Sequence, residues 1–120
     1  GIQKLIFSPH TADFYNPKVI QASMGSFTRV QFYYGELSEA FQNWKLPVYG
    51  AFLEGASIHQ LTDPKPGVLL LGNESQGISK EMEKWVTHKV TIPSFGGAES
   101  LNVAIATAIF CDNFKRLLSK

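Results

Sequence analysis

Apolar residues along this chain fall into two patterns. Short runs of branched and aromatic residues, KLIFS at 4–8, RVQFYY at 29–34, VYGAFL at 48–53, VLLLG at 68–72 and KVTIP at 89–93, have the length and composition of strands. Runs this apolar suit strands buried within a sheet. Segments with helical spacing separate them. Asn16 before Pro17 opens a first helix, with the amide as cap and the proline where its missing N–H costs nothing, and Gly25 is its expected end. Leu37, Ala40, Phe41 and Trp44 recur at i, i+3, i+4, i+7, and Pro47 ends that helix. VYGAFL and VLLLG, separated by a loop holding Pro64 and Pro66, are expected side by side. Ser79 caps the next helix, with Glu81 and Glu83 near its positive end. The alternation predicts an α/β fold, a mostly parallel sheet flanked by helices.

The last helix, expected from about Ser100 to Leu118, is apolar around much of its girth. Val103, Ala106, Phe110, Phe114 and Leu117 mark one face, and Leu101, Ile105, Ala108 and Ile109 widen it. A helix this apolar is covered on more than one side. Either neighbouring elements of the same chain or a subunit interface provides the cover.

Composition narrows the possibilities without choosing among them. The 120 residues are 44% hydrophobic and 12% aromatic, enough to fill a core. Lys and Arg number 11 against 10 Asp and Glu, so a nucleic acid would have to be recognised through a local patch and not through bulk charge. The single cysteine, Cys111, cannot form an internal disulfide and reads as a buried structural thiol, which fits a reducing, cytoplasmic setting. No apolar run reaches the roughly 18–20 residues that span a bilayer, and no basic-then-apolar leader opens the chain. His10, His59 and His88 match no metal spacing, so no metal is expected. Trp44 and Trp85 are placed in helices, as packing residues and not base-stacking platforms. The start at Gly1, without methionine and almost at once in a strand, suggests that something precedes it.

Two loops carry the candidate chemistry. GVLLLGNESQGIS, Gly67 to Ser79, has the glycine spacing of a phosphate-binding GxxxxGK[ST] loop, but Ile78 stands where the lysine belongs. Without that lysine, and with Glu74 pushing a carboxylate toward any anion, the loop argues against a triphosphate. GxGxxG fails too, since Asn73 and Glu74 follow Gly72. The loop suits a ligand that is uncharged or cationic at this point. VTIPSFGGAESLN at 91–102 repeats the architecture: strand, proline, paired Gly96 and Gly97, then Ser100 and Asn102 at a helix start. Ser100 reads most simply as the helix cap. Two such loops at strand ends make the crevice where open α/β sheets bind ligands.

Taken together, LLLGNESQGIS and the downstream IPSFGGAESLNVAIA closely resemble the second and third motifs of the SpoU (TrmH) family of RNA 2′-O-ribose methyltransferases, in the SPOUT superfamily. SPHTADFYNPKVIQASMGS at 8–26 resembles the segment between that family's first and second motifs, so the likeness covers nearly the whole chain. The resemblance implies a SPOUT-type fold whose C-terminal segment is tied in a trefoil knot, an exception to the rule against knots. It implies S-adenosylmethionine held by the backbone around Gly72, Ile92 and Leu101, with Asn73, Gly77, Pro93 and the strand end at Leu53 nearby. By the same carry-over the catalytic positions are Glu74, Ser100 and Asn102: Glu74 and Asn102 organise the pocket, and Ser100 helps position substrate or the family's first-motif arginine. The implied chemistry is methylation of a ribose 2′-hydroxyl of tRNA or rRNA, by a homodimer formed through the C-terminal helix. A cofactor with a sulfonium and no phosphates makes an acidic loop without lysine sensible.

The sequence departs from the family's pattern in two places. The first motif, Asn-x-Gly-x-x-x-Arg, is absent from these residues, and Arg29 and Arg116 are not its equivalents; Ala104 stands where serine is common. Residues 1–120 are therefore expected to be a SpoU-type methyltransferase domain incomplete at its N-terminus, whose activity alone is open. Two other readings stay in view. A SPOUT enzyme acting on a base nitrogen is disfavoured by Ser100-Leu101-Asn102, and a cofactor- or RNA-binding dimer module without catalysis is kept open by the missing arginine.

Overall fold

The computed structural model describes residues 2–97 and 100–120. These fall into two compact units that divide between Asn43 and Trp44.

In the first unit, β1 (Lys4–Phe7) pairs in parallel with β2 (Gln31–Tyr34), with Lys4 opposite Gln31 and Phe7 opposite Tyr34. The connection holds α1 (Pro17–Ser23), capped as expected by Asn16, whose side chain accepts from the Lys18 amide at 2.9 Å. The end of α1 differs from expectation. Met24, not Gly25, takes the left-handed C-cap at φ 49°, and Gly25 at φ 87° then opens a 3-10 turn over Ser26–Arg29. Two successive left-handed residues reverse the chain before β2.

The two strands are less buried than their composition suggested, because a local aromatic cluster covers only one face of the pair. Phe14 is buried and stacks on Phe32 at 4.0 Å, with Phe7 and Tyr34 around them. The Tyr34 hydroxyl accepts from the Phe14 amide (2.8 Å) and donates to the Ala12 carbonyl (2.6 Å), tying the β1–α1 loop to β2. The unit ends in α2 (Leu37–Asn43), with Phe41 buried; Trp44 lies just beyond it and not within it.

The second unit is a three-stranded parallel sheet in the order β4-β3-β5, formed by β3 (Val48–Ser57), β4 (Val68–Leu70) and β5 (His88–Thr91). VYGAFL and VLLLG are neighbours as their patterns implied. The central strand runs four residues past Leu53 because a bulge interrupts it: Ala51 and Ala56 both stand opposite Val90. The loop from β3 to β4 includes a 3-10 turn, Ile58–Gln60, and is pinned where the Tyr49 hydroxyl accepts from the Lys65 amide (2.9 Å) and donates to its carbonyl (3.1 Å). The short α3 (Lys80–Glu83) starts at its Ser79 cap, and Trp85 falls in the turn after it, so neither tryptophan sits inside a helix.

The final helix, α4 (Val103–Leu118), starts later than expected because Asn102, not Ser100, is its cap. Its Phe110 joins Tyr49, Ile58 and Val90 in the core, with Leu69, Ile92, Ala106 and Phe114 packed around them. The predicted apolar face is thus the buried one, whereas Ile105 (55% exposed), Leu101 and Ala108 remain at the surface of this chain. Cys111 is half-buried on α4, and burial pushes its thiol up, which keeps it protonated and inert. Among the described residues no helix is long and apolar enough to cross a membrane, and no group of three or more His, Cys, Asp or Glu could hold a metal ion. Phe110→Ala is expected to lower the unfolding free energy by about 3–5 kcal/mol, as measured by urea denaturation, because the ring fills the junction of α4 with all three strands.

Candidate active site

Parallel strands that are hydrogen-bonded neighbours end on the same edge of their sheet, so the loops leaving β4 and β5 emerge together. The β4 loop is tightly closed on itself. Asn73 and Gly77 exchange backbone hydrogen bonds (3.1 and 2.8 Å), and the Asn73 side chain accepts from the Ser75 amide (2.8 Å) and hydroxyl (2.7 Å) and the Gln76 amide (3.4 Å). Its two glycines have separate reasons. Gly77 has φ 69°, a conformation a side chain rarely tolerates. Gly72 lies so close to the Gly77 carbonyl and the Ile78 amide that a Cβ there would occupy their space. The GxxxxG spacing is therefore that of a self-closing turn, and the Glu74 carboxylate is presented at its exposed side.

The β5 loop follows Thr91, whose hydroxyl donates to the Leu53 carbonyl at 3.1 Å. That bond fastens the β3 bulge beside the start of the loop. Leu53 is accordingly mid-strand and not at a strand end, with its side chain 71% exposed and its carbonyl turned to β5. Ile92 packs on the core and Pro93 is half-buried. Ala98 and Glu99 of this loop lie outside the described residues. Ser100 and Leu101 are exposed.

One side chain joins the two loops. Asn102 accepts from the Ala104 amide through Oδ1 (2.8 Å), capping α4, and donates through Nδ2 to Glu74 Oε1 (3.4 Å). Only an amide can do both: a serine is too short to reach on to Glu74, and an aspartate would cap but repel it. The structure thus brings Gly72, Asn73, Glu74, Gly77 and Asn102 into one assembly. It brings Leu53 to the base of the β5 loop, and it leaves Ser100 outside the hydrogen bonds seen around Glu74 and Asn102. Sequence reasoning missed Thr91, which a hydroxyl at the last position of an apolar strand could have signalled. It also missed Phe95 and His59, whose rings lie parallel with centroids 6.3 Å apart.

Asn102→Ala is expected to cost about 1 kcal/mol through the lost cap. Asn102→Asp keeps the cap but sets two carboxylates against each other, so in urea unfolding at pH 7 it should be less stable than wild type although the cap is intact.

A profile of the SpoU rRNA Methylase family matches residues 1–112. A solved structure assigned to the TrmH family of RNA methyltransferases, from Porphyromonas gingivalis, is 42% identical with a TM-score of 0.84, covering 96% of this chain and 49% of that one. An AdoMet-bound rRNA methyltransferase from Sinorhizobium meliloti is 31% identical with a TM-score of 0.82, covering 92% and 44%. The 23S rRNA (guanosine(2553)-2′-O)-methyltransferase of Bacillus subtilis is 29% identical over 113 residues, 91% of this chain and 46% of its own length. The chain spans about half the length of these relatives. With the profile running through both loops and the Asn102 cap, this chain belongs to the SpoU rRNA methylase family.

Proposed function

We propose that the protein methylates a ribose 2′-hydroxyl of RNA, tRNA or rRNA, using S-adenosylmethionine. The observation that carries this reading is the Glu74–Asn102 bond, which joins the second and third family motifs into one wall with no cation in it. The wall fits the proposed cofactor by its donor set. Backbone amides and carbonyls surround Gly72, no phosphate-binding lysine is present, and the one titratable side chain among the described residues of the two loops is a carboxylate. S-adenosylmethionine supplies an electrophilic methyl group on a positive sulfonium.

This chain's residues bind and orient. The backbone around Gly72, Ile92 and Leu101 holds the cofactor, with Leu53, Asn73, Gly77 and Pro93 beside it, inside the C-terminal knot that belongs to the same reading. Glu74 and Asn102 keep the two loops in register, and Ser100, exposed two residues before the cap, positions the RNA. The acceptor oxygen must be held about 3 Å from the methyl carbon and relieved of its proton. The family's first-motif arginine, the candidate for that assistance, is not within residues 1–120. The reaction is placed in the cytoplasm, where Cys111 stays reduced.

The proposed assembly is a homodimer packed on the surface side of α4, where Leu101 (45% exposed), Ile105 and Ala108 form an apolar strip that the described residues leave uncovered. Ile105→Glu should convert the dimer to monomer in sedimentation velocity.

The function is tested by incubating the full-length protein with radiolabelled S-adenosylmethionine and unmodified tRNA or rRNA. Label in alkali-resistant dinucleotides is the expected result, since a 2′-O-methyl group blocks cleavage at that phosphate. Label in a base overturns the ribose assignment, and cofactor binding without transfer identifies a non-catalytic module.

A further inference from the structure

A single exposed phenyl ring is ordinary on a protein surface. Phe95 differs by its setting. It is 90% exposed in the loop after β5, and the His59 ring, from the turn after β3, lies parallel to it within 10° at 6.3 Å between centroids. Both rings are carried on locally fastened backbone. Ser94 Oγ donates to the Gly96 carbonyl across Phe95 (3.2 Å), and Ser57 Oγ accepts from the His59 amide (3.2 Å). Since β3 and β5 are parallel neighbours, these segments emerge at the sheet edge from which the proposed methyl-donor wall is built.

Two flat rings in parallel, facing solvent at the rim of a site for RNA, suit one part of that ligand. Phosphate is repelled by the negative face of a phenyl ring and ribose offers it only C–H edges, whereas every base has a flat π face to lay on it. We propose that Phe95, with the parallel His59 ring alongside it, is a stacking platform for a nucleobase of the RNA substrate. The proposal rests on the RNA methylation reading above and adds to it how the nucleic acid is gripped without strong positive charge. Stacking tolerates any base, so the platform supplies affinity and orientation and not base identity.

The test uses the full-length protein with unmodified total tRNA and rRNA as probes, comparing Phe95→Leu, which keeps apolar bulk, with Phe95→Trp, which keeps a π face. Three quantities are measured: the KM for RNA in methyl transfer, the Kd for RNA by gel shift, and the Kd for S-adenosylmethionine by calorimetry. Phe95→Leu is expected to raise the RNA constants about 10-fold with cofactor affinity unchanged, and Phe95→Trp to restore them. Wild-type RNA constants in Phe95→Leu would overturn the proposal, as would a loss confined to cofactor affinity. A protein that binds RNA but transfers no methyl would sink the methylation reading, and the gel shift would still decide the role of Phe95.

Discussion

Parallel pairing of β3 with both β4 and β5 is the constraint from which the second unit's chemistry follows. Strands aligned in one direction cannot be joined by tight turns, so each connection crosses over and each loop leaves from the same edge. The apolar runs in these strands are affordable only if the sheet is covered, and Phe110 and its neighbours on α4 cover it. With the strands and α4 fixed, the β4 loop and the start of α4 come within hydrogen-bonding distance, and a single amide side chain closes the gap between them. Helix and candidate site therefore share a residue: the side chain that caps the start of α4 also meets the Glu74 carboxylate.

Much of this was legible in the sequence where short-range chemistry decides. Asn16 with Pro17 and Ser79 with its downstream acids marked helix starts correctly, because a cap acts over two or three residues. The adjacency of VYGAFL and VLLLG followed from their apolar character. What was not legible depended on partners remote in the chain. The β3 bulge is held by Thr91, nearly forty positions away, so Leu53 passed for a strand end. Asn102, not Ser100, caps α4, and its amide also meets Glu74, a partner 28 positions away. Met24, an unusual residue for a left-handed cap, gave no hint that it would precede Gly25 in that role.

The candidate site shows the same division. Glycine spacing located the β4 loop and the missing lysine removed the triphosphate reading, both from local pattern. The motifs and their order pointed to the family that the profile match then established. The exposed strip on α4 was visible as apolar breadth, but which side faces the sheet depended on where Phe110 inserts.

The closed turn between Asn73 and Gly77 bears on the kinetics of ligand capture. Paired backbone bonds and an asparagine that accepts from two residues brace this wall from within. A ligand meeting it loses little of its binding free energy to ordering the protein, and encounter need not wait for the loop to fold. Association at the proposed site is therefore limited by the ligand's own approach, and a substitution that loosened the turn would weaken capture by adding the cost of ordering it.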